Sequence, residues 1–471
     1  MLADASAVSR VAAATPAERD RFADLLRVAS ILVVVAGHWL MAVVGWRGGR
    51  VEGGNAIALV PGLWLATWLL QVMPLFFFVG GLANLVSARR GGGWAGFVRG
   101  RAARLLRPTV AFLAVWTAAA AVLGAVEVPE AVLRPVTRLV VQPLWFLGLY
   151  LLVVALAPAM LRLHRRFGPA VAVWLALAAA TADLAGRAVD VPGLDRLGDL
   201  NFLLVWLFAH QLGFLYADGT LPGWPRRAHL AMAAGGLAAL AGLTASGAWP
   251  QSMVGLPGDR VSNMNPPSLC IVALTVWLVG LAMLVRDPVT RWLHRPHPWA
   301  MVVTAGSSLM TLFLWHLTAL VLAVLVLHPL GLTQPPPRHP DLVGPAPAVA
   351  AGPGGHAGPT GRPVRPVRTP RPALWTATGG LWTAAGIPPR RAVRSPSGGP
   401  SAGPGRCRPS AAGTAAGVAA VIVGLLGVAV GGIWPLPGSP GNPVGLQLTP
   451  AASLLSLGAG MLLLGRGRLG G

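Results

Sequence analysis

Residues 24–39 read Asp24-Leu-Leu-Arg27-Val-Ala-Ser-Ile-Leu-Val-Val-Val-Ala-Gly-His38-Trp39, and the apolar run that they open continues to residue 46. A run of about 20 apolar residues is long enough to cross a bilayer as a helix. Arg27 and His38 are eleven positions apart. At about 100° and 1.5 Å per residue, their side chains share one helix face and lie roughly 16 Å apart. The sequence therefore predicts a membrane helix with a histidine near mid-bilayer and an arginine nearer its end.

An imidazole at that depth is costly unless it is well paired or functional. The structural explanation is a hydrogen bond to a neighbouring helix, with Arg27 reaching towards the lipid headgroups. The functional explanation is a neutral imidazole acting as general base on a hydroxyl, while the guanidinium binds an anionic donor or orients a polar group. The same choice, between a histidine paired with a neighbouring helix and a catalytic imidazole, applies to His316. This residue lies deep in the apolar run Leu312-Phe-Leu-Trp-His316-Leu.

The whole chain has the composition of a polytopic membrane protein. Of its 471 residues, 54% are hydrophobic and 11% are charged, and the mean hydropathy is +0.64. Uncharged apolar runs predict spans at 26–46, 62–87, 108–126, 139–160, 168–185, 200–217, 229–248, 268–285, 299–327, 413–433 and 448–465. The last two form either two spans or one re-entrant unit. We therefore predict an all-α fold with ten to eleven transmembrane helices.

The arginines predict how these spans are oriented. The chain has 37 basic residues, all of them arginine, and a formal net charge of +22. They concentrate before the first span and after the second, fourth, sixth and eighth, whereas the intervening loops carry few net positive charges. This alternation places the N-terminal tail, residues 1–25, in the cytoplasm. It also explains the basic balance without nucleic acid, and we expect a multi-pass protein of a cell membrane, the cytoplasmic membrane of a bacterium.

Residues 334–412 differ from the rest of the chain. They are rich in Pro, Gly, Ala and Arg, and Asp341 is their only acid. One interpretation is a disordered linker between a main membrane domain at 26–330 and C-terminal helices at 413–466. The other is a stretch translated out of frame, because a GC-rich gene read in a wrong frame yields this mixture. Composition leaves both open.

A basic cluster, Arg99-Gly-Arg101-Ala-Ala-Arg104-Leu-Leu-Arg107, precedes the third predicted span. Arg101, Arg104 and Arg107 recur at intervals of three, which places them along one helix face if the helix begins early. Membrane topology alone accounts for these charges. The functional interpretation is a cytoplasmic mouth that attracts the phosphates of a nucleotide-like donor. We find no metal-spaced His or Cys cluster and no Gly-rich phosphate loop, so neither a metal site nor a bound cofactor is expected.

Taken in order, the motifs resemble the acyltransferase 3 family of integral membrane acyltransferases. The likeness covers roughly residues 19–327 and rests on Arg27-x10-His38, Met73-Pro-Leu-Phe-Phe-Phe-Val-Gly-Gly81, Arg101-x-x-Arg104, Leu144-Trp-Phe-Leu147, Asn201 to Gly219, and Thr311-Leu-Phe-Leu-Trp-His316. It implies an enzyme that moves an acetyl or other short acyl group from cytoplasmic acyl-CoA to a hydroxyl of a glycan, glycolipid or other small acceptor.

The same resemblance implies roles for the candidate residues. His38 is the catalytic base or an acyl relay, and Arg27 positions the donor. The cluster Arg101, Arg104 and Arg107 contacts the phosphates of CoA or shapes the donor mouth. Trp145 and His316 line the acceptor side.

Two other functions stay open. A multi-span transporter would use His38 as a proton relay and would need no acyl donor. The absence of a visible internal repeat and the scarcity of acidic residues within the spans weigh against it. An enzyme of the membrane-bound O-acyltransferase type would instead centre on His316, and His38 would be incidental.

Overall fold

The computed structural model describes residues 15–16, 18–47, 50–88, 93–188, 195–256, 261–327, 330, 410–435 and 448–465. Its helices are α1 Arg21–Met41, α2 Ala56–Leu59, α3 Trp64–Leu70, α4 Met73–Ala88, α5 Gly93–Ala125, α6 Glu130–Val141, α7 Leu144–Phe167, α8 Ala170–Ala188, α9 Asn201–Ala217, α10 Arg226–Ala245, α11 Leu269–Leu293, α12 Pro296–Leu327, α13 Ala411–Gly431 and α14 Pro450–Gly465. A 3-10 turn occupies Asp195–Leu200, and the strands are β1 Ala42–Arg47 and β2 Arg50–Asn55. The predicted linker or out-of-frame segment at 334–412 lies outside the described residues, apart from 410–412.

The helices confirm the predicted all-α polytopic fold. Within the described ranges, ten helical segments are long and apolar enough to cross a membrane, and α14 is a shorter apolar helix. The predicted C-terminal spans at 413–433 and 448–465 correspond to α13 and α14. Both pack against the preceding helices, and Arg99 of α5 links them by donating to Thr414 Oγ1 at 3.0 Å and to the Leu463 carbonyl at 3.1 Å.

Two predicted boundaries are wrong. The first span was expected to reach residue 46, but α1 ends at Met41 and β1 pairs antiparallel with β2, Ala42 opposite Asn55. An apolar count cannot separate helix from strand here, and the β-branched pair Val43-Val44 favours the strand. The third span was expected to begin at residue 108, but α5 begins at Gly93. The basic cluster therefore lies on a helix rather than in a loop.

One tight crossing brings α4 against α9. A Cβ atom added to Gly213 would lie 3.0 Å from the Cα of Gly81, and one added to Gly81 would lie 3.1 Å from the Cα of Gly213. The two backbones are thus in direct contact, as small residues allow in membrane helices. Beside the crossing, the fully buried side chains of Asn84 and His210 are 3.1 Å apart, Nδ2 to Nε2.

Polar contacts join the helix ends that carry most of the arginines. The Tyr216 hydroxyl donates to Asp20 Oδ2 at 2.8 Å, and Arg286 Nε donates to the Tyr216 hydroxyl at 3.2 Å. Arg21 donates to the carbonyl of Leu293 at 2.9 Å. The start of α1 and the ends of α9 and α11 therefore lie on one side of the bundle, which we call the basic face. Its cytoplasmic location is a prediction from the arginine pattern.

Asp183 organises the opposite side. The fifth predicted span, 168–185, is marginal because Asp183 shortens its apolar stretch, whereas α8 continues to Ala188. The Asp183 carboxylate is buried and accepts hydrogen bonds from Arg187 Nε at 2.8 Å, from Trp249 Nε1 at 2.8 Å and from the backbone N–H of Leu269 at 2.9 Å. The Asp183 carboxylate therefore joins α8 to the loop after α10 and to the start of α11. We call this set of contacts the Asp183 clamp.

Candidate active site

The two histidines that the sequence offered as rivals lie side by side. His38 of α1 and His316 of α12 have ring centroids 5.1 Å apart with an interplanar angle of 51°. Next to His38, the indole of Trp39 donates to the carbonyl of His316 at 3.0 Å. This bond fixes the depth of one helix relative to the other, so that both rings share one region of the bundle.

Backbone carbonyls set the protonation pattern of both rings. His38 Nδ1 lies 2.8 Å from the carbonyl of Val34, and His316 Nδ1 lies 2.7 Å from the carbonyl of Phe313. A carbonyl only accepts, so each Nδ1 carries the proton, and each neutral ring keeps a lone pair on Nε2. Among the described residues, the buried Nε2 of His316 has no hydrogen-bond partner. The pair therefore offers two basic nitrogens.

Arg27 lies on the same face of α1 as His38, as the spacing predicts. Its guanidinium lies 2.9 Å from Asp24 Oδ1, and Arg19 binds the other carboxylate oxygen at 2.6 Å. A Cβ added to Gly306 of α12 would lie 3.8 Å from the Arg27 guanidinium. Both residues thus face α12, Arg27 beside Gly306 and His38 beside His316. The carboxylate of Asp24 holds the cation in place on the basic-face side of the pair.

The basic cluster on α5 does not act as one surface. Arg101 is half-buried and donates to the carbonyl of Ala83 at 2.6 Å and to Ser87 Oγ at 2.7 Å, both on α4. Arg104 and Arg107 are exposed, and Arg104 Nε donates to the carbonyl of Gly100 one turn earlier. Arg101 therefore points into the bundle, while the other two present their charge at its surface.

A series of rings connects the histidine pair with α7. Centroid distances are 6.1 Å from His316 to Phe313, 5.6 Å from Phe313 to Phe146, and 6.1 Å from Phe146 to Tyr150. We call the five rings from His38 to Tyr150 the aromatic series. Trp145 flanks the series, edge to face with Phe146 at 6.2 Å. The structure thus brings Trp145 near the histidines, but only through two phenylalanines.

Tyr150 is a candidate that the sequence reasoning missed. Its side chain is buried, and three guanidinium groups lie within electrostatic reach of its hydroxyl, those of Arg101, Arg27 and Arg104. Tyr150 thus interacts electrostatically with both separately predicted sets of residues, Arg27 and the arginines of α5. The available signal was its rarity, because the chain has only two tyrosines and this one interrupts a wholly apolar stretch.

Apart from His210, whose buried Nδ1 has no hydrogen-bond partner among the described residues, the other buried histidines have polar partners. His164 Nε2 lies 2.9 Å from Asp218 Oδ2, and its Nδ1 lies 2.8 Å from Gln211 Nε2. His229 Nε2 lies 2.9 Å from the carbonyl of Leu221. These rings join helices and have no free basic nitrogen directed at another imidazole.

Comparison with known proteins adds one finding to this geometry. A protein-family model described as an acyltransferase domain matches residues 20–352. The matched range includes Arg27, His38, the α5 arginines, Tyr150 and His316. No curated protein and no solved structure matches the chain.

Proposed function

The chain belongs to the acyltransferase 3 family of membrane acyltransferases, and from this we propose that it transfers a short acyl group, such as acetyl, from acyl-CoA to a hydroxyl. The acceptor is a glycan, a glycolipid or another small hydroxyl compound. The observation that supports this best is the pairing of His38 and His316 at 5.1 Å inside the matched range. Two neighbouring basic nitrogens, one on the buried His316 and one on the half-buried His38, are suited to taking a proton from a hydroxyl and returning it to a leaving group.

In the direct form of the reaction, His38 is a general base. Its Nε2 takes the proton of the acceptor hydroxyl while the hydroxyl oxygen attacks the thioester carbon. The C–S bond then breaks, the ester forms, and the thiolate of CoA receives the proton from the imidazolium. The bond from Nδ1 to the Val34 carbonyl keeps Nε2 oriented and stabilises the imidazolium.

In the relay form, His38 Nε2 attacks the thioester itself and releases the CoA thiolate. The acceptor hydroxyl then attacks the acylated imidazole, and His316 Nε2 takes the hydroxyl proton and delivers it to the thiolate. Both forms use the same pair, and the relay form gives His316 the base function.

The donor enters from the basic face in this proposal. Arg27 is held by Asp24 at 2.9 Å and lies between that face and His38. The exposed Arg104 and Arg107 attract the phosphates of CoA, and the half-buried Arg101 lies farther in. Guanidinium groups suit this task because they bind phosphate oxygens in a bidentate manner.

The proposal is tested by transfer of radiolabelled acetyl from acetyl-CoA in membranes that contain the wild type, His38→Ala or His229→Ala. We expect labelled glycan or lipid with the wild type and about 10²-fold less, or none, with His38→Ala. His229→Ala is the matched control, since it also removes a buried imidazole bonded to a carbonyl. Equal labelling by the wild type and His38→Ala would contradict the role of His38. Donor-independent uptake of solute into vesicles would favour a transporter instead.

A further inference from the structure

The hydroxyl of Tyr150 in α7 is a buried polar group with no role so far. The residue is 9% exposed. Its ring packs against three others, Phe76 at 5.5 Å, Phe77 at 5.9 Å and Phe146 at 6.1 Å. The ring is thus packed among other aromatic rings, and none of these three rings offers an oxygen or nitrogen to accept the phenolic proton.

Gly80 of α4 makes room for this ring. A Cβ added to Gly80 would lie 3.0 Å from Tyr150 Cε2 and 3.4 Å from the hydroxyl oxygen. A methyl group there would push the ring out of its position, because contacts this short are repulsive. The three rings and the backbone of α4 at Gly80 therefore restrict the position of the ring and of its hydroxyl.

Within the ranges that the structure describes, the Tyr150 hydroxyl forms no hydrogen bond, and its oxygen is not among the fully enclosed polar atoms that lack a partner, so a small part of it stays accessible. A buried phenol usually has a partner, because leaving it unbonded costs free energy. The positive charges of Arg101, Arg27 and Arg104 act on the hydroxyl from a distance and favour an acceptor that carries negative or partial negative charge. An oxygen of a bound ligand satisfies both requirements.

The position of Tyr150 indicates which part of a ligand would meet it. It ends the aromatic series, three rings from His316, and the charges of three arginines act on it. When the thioester of the donor lies at His38, the rest of the donor molecule extends along this series towards the arginines. The carrier next to the sulfur of CoA is the pantetheine arm, a thin chain with two amide groups. Aromatic walls suit its apolar segments, and a fixed phenol suits an amide carbonyl.

We propose that the Tyr150 hydroxyl donates a hydrogen bond to the pantetheine amide carbonyl farther from the sulfur. This inference rests on the proposed function, since it requires CoA as the donor. Tyr150 is then a donor-binding residue. It holds the pantetheine arm at the position that brings the thioester to the histidine pair.

Binding of CoA to the purified protein in detergent tests the proposal without any chemical step. Tyr150→Phe keeps the ring and removes only the hydroxyl, and we expect it to weaken CoA binding about tenfold, the cost of leaving one carbonyl unpaired. Tyr216→Phe is the matched control, because it removes the other phenol of the chain, which is bonded to Asp20 and Arg286. We expect its CoA affinity to equal that of the wild type.

Truncated donors locate the contact. S-acetylpantetheine keeps both amides, whereas S-acetyl-N-acetylcysteamine keeps only the amide nearer the sulfur. The ratio of kcat/KM between wild type and Tyr150→Phe should be about ten for acetyl-CoA and S-acetylpantetheine, and one for the cysteamine thioester. An equal ratio for all three donors, or unchanged CoA affinity in Tyr150→Phe, would overturn the inference alone. A wild type that neither binds CoA nor transfers acetyl would overturn the proposed function with it.

Discussion

At the scale of single residues, each histidine of the pair is oriented by its own helix. The carbonyls that bind the two Nδ1 atoms come from Val34 and Phe313, one turn before His38 and His316. The ring orientation is therefore local, and only the distance between the rings depends on how α1 packs against α12. This explains why Arg27 and His38 could be chosen from helical spacing, whereas the pairing with His316 could not.

Replacing His316 separates the possible functions of the pair. If His38 is the direct base, His316→Ala should lower kcat by less than His38→Ala does. If His38 is the acyl relay, His316→Ala should lower kcat by about 10²-fold or more, since acceptor deprotonation is lost. Release of CoA in the first turnover should persist in that case. The measurement is acetyl transfer at saturating acetyl-CoA, together with a rapid assay of free thiol.

The opposite order would indicate a different centre. A His316→Ala variant without activity, beside a His38→Ala variant with wild-type activity, would support an enzyme centred on His316. The His229→Ala variant controls for the loss of a buried imidazole in both comparisons.

At the scale of elements, the crossing of α4 and α9 requires glycine on both helices. Gly213→Ala would place a methyl group against the α4 backbone and should cost about 1–3 kcal/mol of stability by forcing the helices apart. Gly242→Ala on α10 is the control, because an added Cβ there meets nothing within 4 Å. We expect Gly242→Ala to keep the wild-type melting temperature in detergent and Gly213→Ala to lower it. Equal melting temperatures would show that the crossing tolerates a methyl group.

The Asp183 clamp gives a second prediction at this scale. Asp183→Asn keeps the shape of the side chain but removes the charge paired with Arg187, and it should destabilise the protein by roughly 2–4 kcal/mol, because the arginine is then left unpaired. Arg187→Gln should lower the melting temperature as well. The double variant should lose less free energy of unfolding than the sum of the losses in the two single variants. Full additivity would show that the two side chains contribute independently.

These elements also show where sequence reasoning reached its limit. Apolar runs located the spans because the bilayer imposes a length on each of them. They misplaced the ends at residue 46 and at residue 108, since hydropathy does not record whether a backbone pairs as a strand or whether a charged segment is already helical. The role of Asp183 could not be predicted, because its partners, Trp249 and Leu269, lie far away in sequence. Tyr150 was missed for the same reason, as its significance comes from α4 and α5.

At the scale of the whole molecule, the arginines give the bundle two unlike sides. The basic face comprises the start of α1 and the ends of α9 and α11, and Arg226 at the start of α10 donates to the carbonyl of Leu284 on α11 at 3.1 Å. The Asp183 clamp lies at the other side. If the basic face is cytoplasmic, the α5 arginines and Arg27 meet acyl-CoA in the compartment where it is made. The orientation of the protein in the membrane then determines that the donor enters from the cytoplasm. The proposed function therefore depends on the topology being as the arginines predict.

Cysteine labelling across α10 tests that orientation. Trp224 and Ser246 are exposed and lie just before and just after this helix, so substituting one cysteine at either position, in a background without Cys270 and Cys407, probes its two ends. A membrane-impermeant maleimide should label Ser246→Cys in intact cells and Trp224→Cys only after lysis, because the positive charges of Arg226 and Arg227 favour a cytoplasmic location for that end. The reverse pattern would turn the basic face away from cytoplasmic acyl-CoA. The donor would then have no access to the arginines, and the proposed direction of transfer would be wrong even if the histidine pair were active.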